Sequence, residues 1–137
     1  LQALKNKNAY LIKPNIGELC KMLNIEHIET NEVDDAAHQA ITDGYAELIA
    51  VSMGPAGAWL VSKDKRYFCA APPVEKRTTV GAGDSMVAGM VYMLQKHSTL
   101  RDTLRFGVAC GSAATMSEGT HLFEPEDAFK LYETVSA

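Results

Sequence analysis

Apolar residues change period several times along the chain, and each change marks an element. A short apolar run from Ala9 to Ile12 predicts a strand over 9–13, and a helix follows over 15–23. Val33, Ala36, Ala37, Ala40 and Ile41 then recur at helical spacing, which predicts one apolar face on a helix over 31–43. Short apolar runs over 47–52, 57–62 and 66–70 read as strands. The first two are separated by Gly54-Pro55-Ala56-Gly57, a turn rich in residues that break regular structure. The period then turns helical over 83–97, 99–117 and 124–135. Strands alternating with helices through short loops predict an α/β layered fold. In such folds ligands lie at the carboxyl ends of the strands, where Asn15, Ser52 and Gly81 all fall.

The stretch richest in chemistry is Thr79-Val80-Gly81-Ala82-Gly83-Asp84-Ser85, between a Pro72-Pro73 loop and the apolar pattern from Met86 to Leu94. Two glycines and an alanine leave the backbone open where a helix begins. Its first N–H groups can then point at an anion, helped by the helix dipole. The aspartate that follows would repel a phosphate. It makes sense as a base that takes a proton from a hydroxyl while that hydroxyl attacks a phosphoryl group. Taken alone, the same residues also read as a helix cap.

Other glycine motifs fit poorly. A dinucleotide fingerprint would need glycine where Met86 stands, and no P-loop pattern occurs. Ala50-Val51-Ser52-Met53-Gly54 misses a hydrolase nucleophile elbow by its first residue, and a turn rather than a helix follows it. Three further segments join the first. They are Lys13-Pro14-Asn15-Ile16-Gly17-Glu18, Val51-Ser52-Met53-Gly54-Pro55-Ala56-Gly57, and a helix from Phe106 to Thr120 rich in small residues. In this order and at these spacings, the four segments resemble the C-terminal half of a ribokinase-like (PfkB) sugar kinase, over essentially the whole chain. The Val80–Met86 run, with Pro-Asn-x-x-Glu and Ser-x-Gly-Pro-x-Gly, most resembles the branch containing the minor bacterial 6-phosphofructokinase.

The resemblance implies a ribokinase-like fold, with residues 1–137 forming its nucleotide-binding part. It implies ATP-dependent phosphorylation of a sugar or sugar-phosphate hydroxyl, Asp84 being the general base. Gly81, Ala82 and Gly83 would form the backbone anion hole. Asn15 and Glu18 match the family's N-x-x-E motif, which places magnesium near the phosphates, and Lys13 beside them would reach a nucleotide phosphate. Ser52, Gly54 and Gly57 match the loop over the nucleotide, and Val108 and Ser112 the helix flanking the adenine. A potassium site would draw on carbonyls of Thr78, Val80, Ala114, Ser117 and Gly119, with His121 nearby. Thr78 stands where the family commonly has aspartate, which weakens that assignment relative to magnesium. Each element also has a plainer role: Asn15 as a cap, Glu18 as a first-turn carboxylate, Ser52-x-Gly54-Pro55 as a turn, and Val108 as core. A nucleotide-binding module without catalysis, or a kinase for another sugar or a nucleoside, is the alternative.

Composition narrows the partners. With 47% hydrophobic residues the chain can bury a core, and a net charge of −4 without long basic runs argues against nucleic acid. No apolar run reaches membrane-spanning length and no signal peptide is visible. Cys20, Cys69 and Cys110 lack C-x-x-C spacing and read as reduced, mostly buried thiols of a cytoplasmic protein. Leu1 is not an initiator methionine, and residues 1–8 read as the end of a helix. Ribokinase-like enzymes are about twice this length, so the expectation is a fragment lacking the N-terminal half that holds the sugar site and lid. That half is its expected partner, and the parent is expected to be a homodimer.

Overall fold

A computed structural model describes residues 9–74, 81–116 and 125–136. Four strands form one sheet in the order β1-β2-β3-β4: β1 (Ala9–Ile12), β2 (Ala46–Ser52), β3 (Ala58–Val61) and β4 (Arg66–Cys69). Five helices accompany them: α1 (Ile16–Leu23), α2 (Val33–Thr42), α3 (Ala82–Gln95), α4 (Leu100–Met116) and α5 (Pro125–Thr134). Every predicted element on described residues is present, with ends moved by one or two residues. At 31–43 a 3₁₀ turn, Thr30–Glu32, precedes α2. The reading of residues 1–8 as a helix end lies outside the described residues. The chain divides into two compact units, Leu1–Met53 with Trp59–Tyr67, and Gly54–Ala58 with Phe68–Ala137.

In the first unit β1 and β2 run parallel, with Ala9, Leu11 and Ile12 facing Ala46, Leu48 and Ile49 in register. The two helices between them, α1 and α2, make this a parallel crossover whose two strands end side by side. Leu19, Met22, Val33, Ala37, Ala40, Ile49 and Val51 form the core, and Tyr45 donates a buried hydrogen bond of 2.8 Å to the carbonyl of Met22. The face predicted for the second helix is borne out, with Val33, Ala37 and Ala40 buried and Ala36 and Ile41 packed beside them. On its other side Asp34 and Asp35 occupy the first turn, where the dipole favours them, and both accept from Arg66 of β4.

In the second unit α3 and α4 meet through small residues. A Cβ on Gly89 would fall 2.6 Å from Cys110 Sγ, and one on Gly107 would fall 2.5 Å from Met90 Cγ. The glycines therefore let the two backbones approach. Phe106 packs under Phe129 and Tyr132, with ring centroids 5.4 Å away in each case, which docks α5. Arg105 completes that docking by donating to the carbonyls of Tyr132 (3.0 Å) and Val135 (2.9 Å) at the end of α5. All three cysteines are free and buried, as expected. Burial pushes the Cys69 thiol up to about 11 and the Cys110 thiol up to about 12. No helix among the described residues is long and apolar enough to cross a membrane.

One core atom is out of place. Ser85 is fully buried and its hydroxyl has no hydrogen-bond partner among the described residues. Such a group keeps its desolvation cost with nothing returned, about 1–3 kcal/mol. Ser85→Ala is therefore expected to stabilise the fold by about 1 kcal/mol or more. A thermal melt decides it, since a lower melting temperature would mean that the hydroxyl is in fact bonded.

Candidate active site

Four of the residues singled out in the sequence meet in the first unit. Pro14 has no N–H to offer a ladder, so β1 ends just before it. Its carbonyl still accepts from Ser52 N–H at 3.1 Å, and Asn15 and Ser52 form an isolated parallel bridge beyond the named strands. The carboxyl ends of β1 and β2 are thereby tied together. Across this junction Lys13 Nζ donates to Ser52 Oγ at 3.2 Å. Lys13, Asn15 and Ser52 thus occupy one place, at the strand ends where Asn15 and Ser52 were expected.

Asn15 is also the N-cap of α1. Its side-chain oxygen accepts from Glu18 N–H at 2.8 Å, while Glu18 Oε1 accepts from the Asn15 N–H at 3.0 Å. This reciprocal capping box realises the plainer roles anticipated for both residues. It also sets an amide and a carboxylate side by side, both oxygen-bearing, as a hydrated magnesium ion prefers. The two roles are compatible, because the capping box occupies one carboxylate oxygen and a carboxylate has two.

The remaining site residues lie in the second unit. Gly54–Ala56 forms a 3₁₀ turn, closed by Gly57 N–H donating to Gly54 O at 3.2 Å. Gly57 has φ +119°, and a Cβ there would sit 2.1 Å from the Cys69 carbonyl oxygen. Only glycine lets the backbone pass so close to the end of β4. Gly54 is exposed and has nothing within 4 Å of where its Cβ would be.

Gly81 is the N-cap of α3 with φ 80°, and no side chain among the described residues caps the helix. Asp84 therefore does not act as the N-cap that the simplest reading of Gly-x-Gly-Asp suggests. It stands three residues further on, in the first turn, and is exposed. Ser85 N–H donates to the Gly81 carbonyl at 2.9 Å, which makes it the first intrahelical bond of this end. The N–H groups of Ala82, Gly83 and Asp84 precede it and have no acceptor within the helix. An exposed carboxylate thus accompanies a group of donors suited to an anion.

On α4, Val108 is buried, and Ser112 is partly exposed with its carbonyl accepting from Thr115 Oγ1 at 2.6 Å. Ala114 is fully buried. Gly111 approaches α3, its would-be Cβ 3.2 Å from the Ala82 carbonyl oxygen, so the helix start rests on a small-residue stripe. Thr78, Val80, Ser117, Gly119 and His121, assigned to or near a potassium site, lie outside the described residues. The Lys13–Ser52 hydrogen bond was not foreseen. Its partners are separated by 39 residues, and no periodicity or local motif links them.

The family model described as "pfkB family carbohydrate kinase" matches residues 1–127. The chain is 41% identical over 134 residues to the ATP-dependent 6-phosphofructokinase isozyme 2 of Escherichia coli (strain K12), covering 98% of this chain and 43% of that protein. It is 35% identical over 132 residues to the 1-phosphofructokinase of Borreliella burgdorferi, covering 96% of this chain and 42% of that protein. The chain thus spans less than half the length of the curated relatives it matches. Among solved structures, Escherichia coli phosphofructokinase-2 in complex with potassium superimposes with a TM-score of 0.88 at 41% identity, over 93% of this chain and 41% of that one. Its tetrameric inhibited form gives a TM-score of 0.84 at 39% identity, over 93% and 40%. The ribokinase-like fold expected from the motifs is the fold found.

Proposed function

Because the chain belongs to the pfkB family of carbohydrate kinases, we propose that it is the nucleotide-binding part of an ATP-dependent phosphotransferase acting on a sugar-phosphate hydroxyl, in the manner of a 6-phosphofructokinase. The observation that carries this reading is the start of α3. There the exposed Asp84 carboxylate accompanies backbone N–H groups that have no acceptor within the helix. In this reading Asp84 accepts the proton of the sugar hydroxyl as its oxygen forms a bond to the γ-phosphorus. The bond from that phosphorus to the β–γ bridging oxygen breaks, and ADP leaves. The N–H groups of Ala82 and Gly83 stabilise the charge on the transferring group.

The other residues bind and orient. Lys13 reaches a nucleotide phosphate, the loop of Ser52, Gly54 and Gly57 covers the nucleotide, and Val108 and Ser112 flank the adenine. Asn15 and Glu18 would hold magnesium, whose charge would offset that of the phosphates. Ala114 contributes, with Thr78, Val80, Ser117 and Gly119, to a potassium site, a reading supported by the potassium complex of the similar phosphofructokinase-2. The sugar-binding half lies in the length that the relatives have beyond this match, and the complete enzyme is a homodimer of the cytoplasm.

Calorimetry with ATP and magnesium, followed by a coupled assay of the complete enzyme over a panel of sugar phosphates, tests the reading. Turnover on fructose 6-phosphate or tagatose 6-phosphate is expected. Binding without turnover on any acceptor would make the protein a nucleotide-binding module instead. The metal role has its own test in Glu18→Gln. The variant is expected to shift the magnesium activation curve strongly while changing the melting temperature little. Loss of a first-turn carboxylate alone costs about 0.3–1 kcal/mol. An unchanged curve with a lowered melting point would confine Glu18 to the capping box.

A further inference from the structure

We infer that Ser52 is a positioning residue for Lys13, holding its ammonium at the ends of β1 and β2 as the group that meets a phosphoryl anion. The inference rests on the phosphotransferase reading and adds a division of labour within that site. Lysine carries its charge on a flexible four-carbon stem, so its direction must come from elsewhere. Ser52 supplies a fixed point. It closes β2, its N–H is bound to Pro14 O at 3.1 Å, and it bridges to Asn15. Its hydroxyl oxygen then accepts from Lys13 Nζ at 3.2 Å in a partly buried setting.

The nature of the holding group matters as much as its position. Among the described residues no carboxylate forms an ion pair with Lys13, although the chain carries 17 acidic residues against 13 lysines and arginines. A carboxylate in place of Ser52 would orient the ammonium and also neutralise it. A hydroxyl orients it and leaves the charge available. An ammonium has three donors, of which Ser52 takes one. The lysine therefore presents a directed cation with two remaining donors to an incoming phosphate oxygen.

A double-mutant cycle on the complete enzyme separates this from a direct contact. Affinity for magnesium-ATP is measured by calorimetry for Ser52→Ala, Lys13→Met and the double variant, with Ser52→Thr as the variant that keeps a hydroxyl. Ser52→Ala is expected to weaken binding about tenfold while Lys13 is present, and hardly at all in the Lys13→Met background. Ser52→Thr is expected to stay near the parent. Equal losses in both backgrounds would overturn the inference and leave the kinase reading intact. A second measurement needs no nucleotide: acetic anhydride labelling of Lys13, read by mass spectrometry, is expected to quicken in Ser52→Ala. An unchanged labelling rate would overturn the inference whatever the enzyme binds. A parent enzyme that binds no ATP would instead remove the phosphotransferase reading.

Discussion

Asp84→Asn is expected to lower turnover of the complete enzyme by about two to four orders of magnitude, the usual worth of a general base. Nucleotide affinity is expected to stay near normal, because the nucleotide-binding groups assigned to Lys13, Ser52 and the α3 backbone are untouched. The fold should survive equally well. Asp84 is exposed and is not the cap of α3, a position filled by Gly81. The amide retains the shape of the carboxylate and removes only the ability to accept a proton at neutral pH. Steady-state kinetics beside ATP calorimetry check both halves. Full activity in the variant would remove Asp84 from the chemistry, whereas lost binding with a lowered melting point would assign it a structural role.

Gly57→Ala is expected to be the most damaging single-methyl change for folding. The new Cβ would meet the Cys69 carbonyl oxygen at 2.1 Å and Ala70 Cα at 2.8 Å, both backbone atoms that cannot swing aside. The φ of +119° adds strain that an L residue avoids. Together these should cost about 3 kcal/mol or more, lowering the melting temperature by roughly 10 °C. Gly54 offers a control within the same motif. It also has positive φ, at +58°, but nothing lies within 4 Å of the added methyl. Gly54→Ala should therefore cost only about 1–2 kcal/mol, the ordinary penalty of the left-handed region. Equal melting temperatures for the two variants would show that the turn shifts to admit the methyl.

The contrast between these glycines illustrates what local sequence can and cannot convey. Breaker residues at 54–57 announce a turn, because glycine and proline act on the backbone at their own positions. Which glycine is indispensable depends on Cys69 and Ala70, which lie more than ten residues further along the chain. The same holds at α3. The Gly-Ala-Gly-Asp run announced an anion-binding helix start, but whether Asp84 caps the helix or stands free was decided by Gly81 adopting the left-handed conformation.

Element identities and the family were determined by the sequence itself. Hydrophobic period, proline and glycine placement, and the Asn15–Glu18 spacing act within a few residues, and four short motifs in a fixed order require no coordinates to be recognised. Tertiary structure decided the rest. It brought Lys13 within 3.2 Å of Ser52, joined Asn15 to Ser52 across two strands, and left Ser85 buried with no hydrogen-bond partner among the described residues. The first two arise because a parallel crossover through two helices brings distant strand ends together, and strand register rather than residue type determines which side chains then meet.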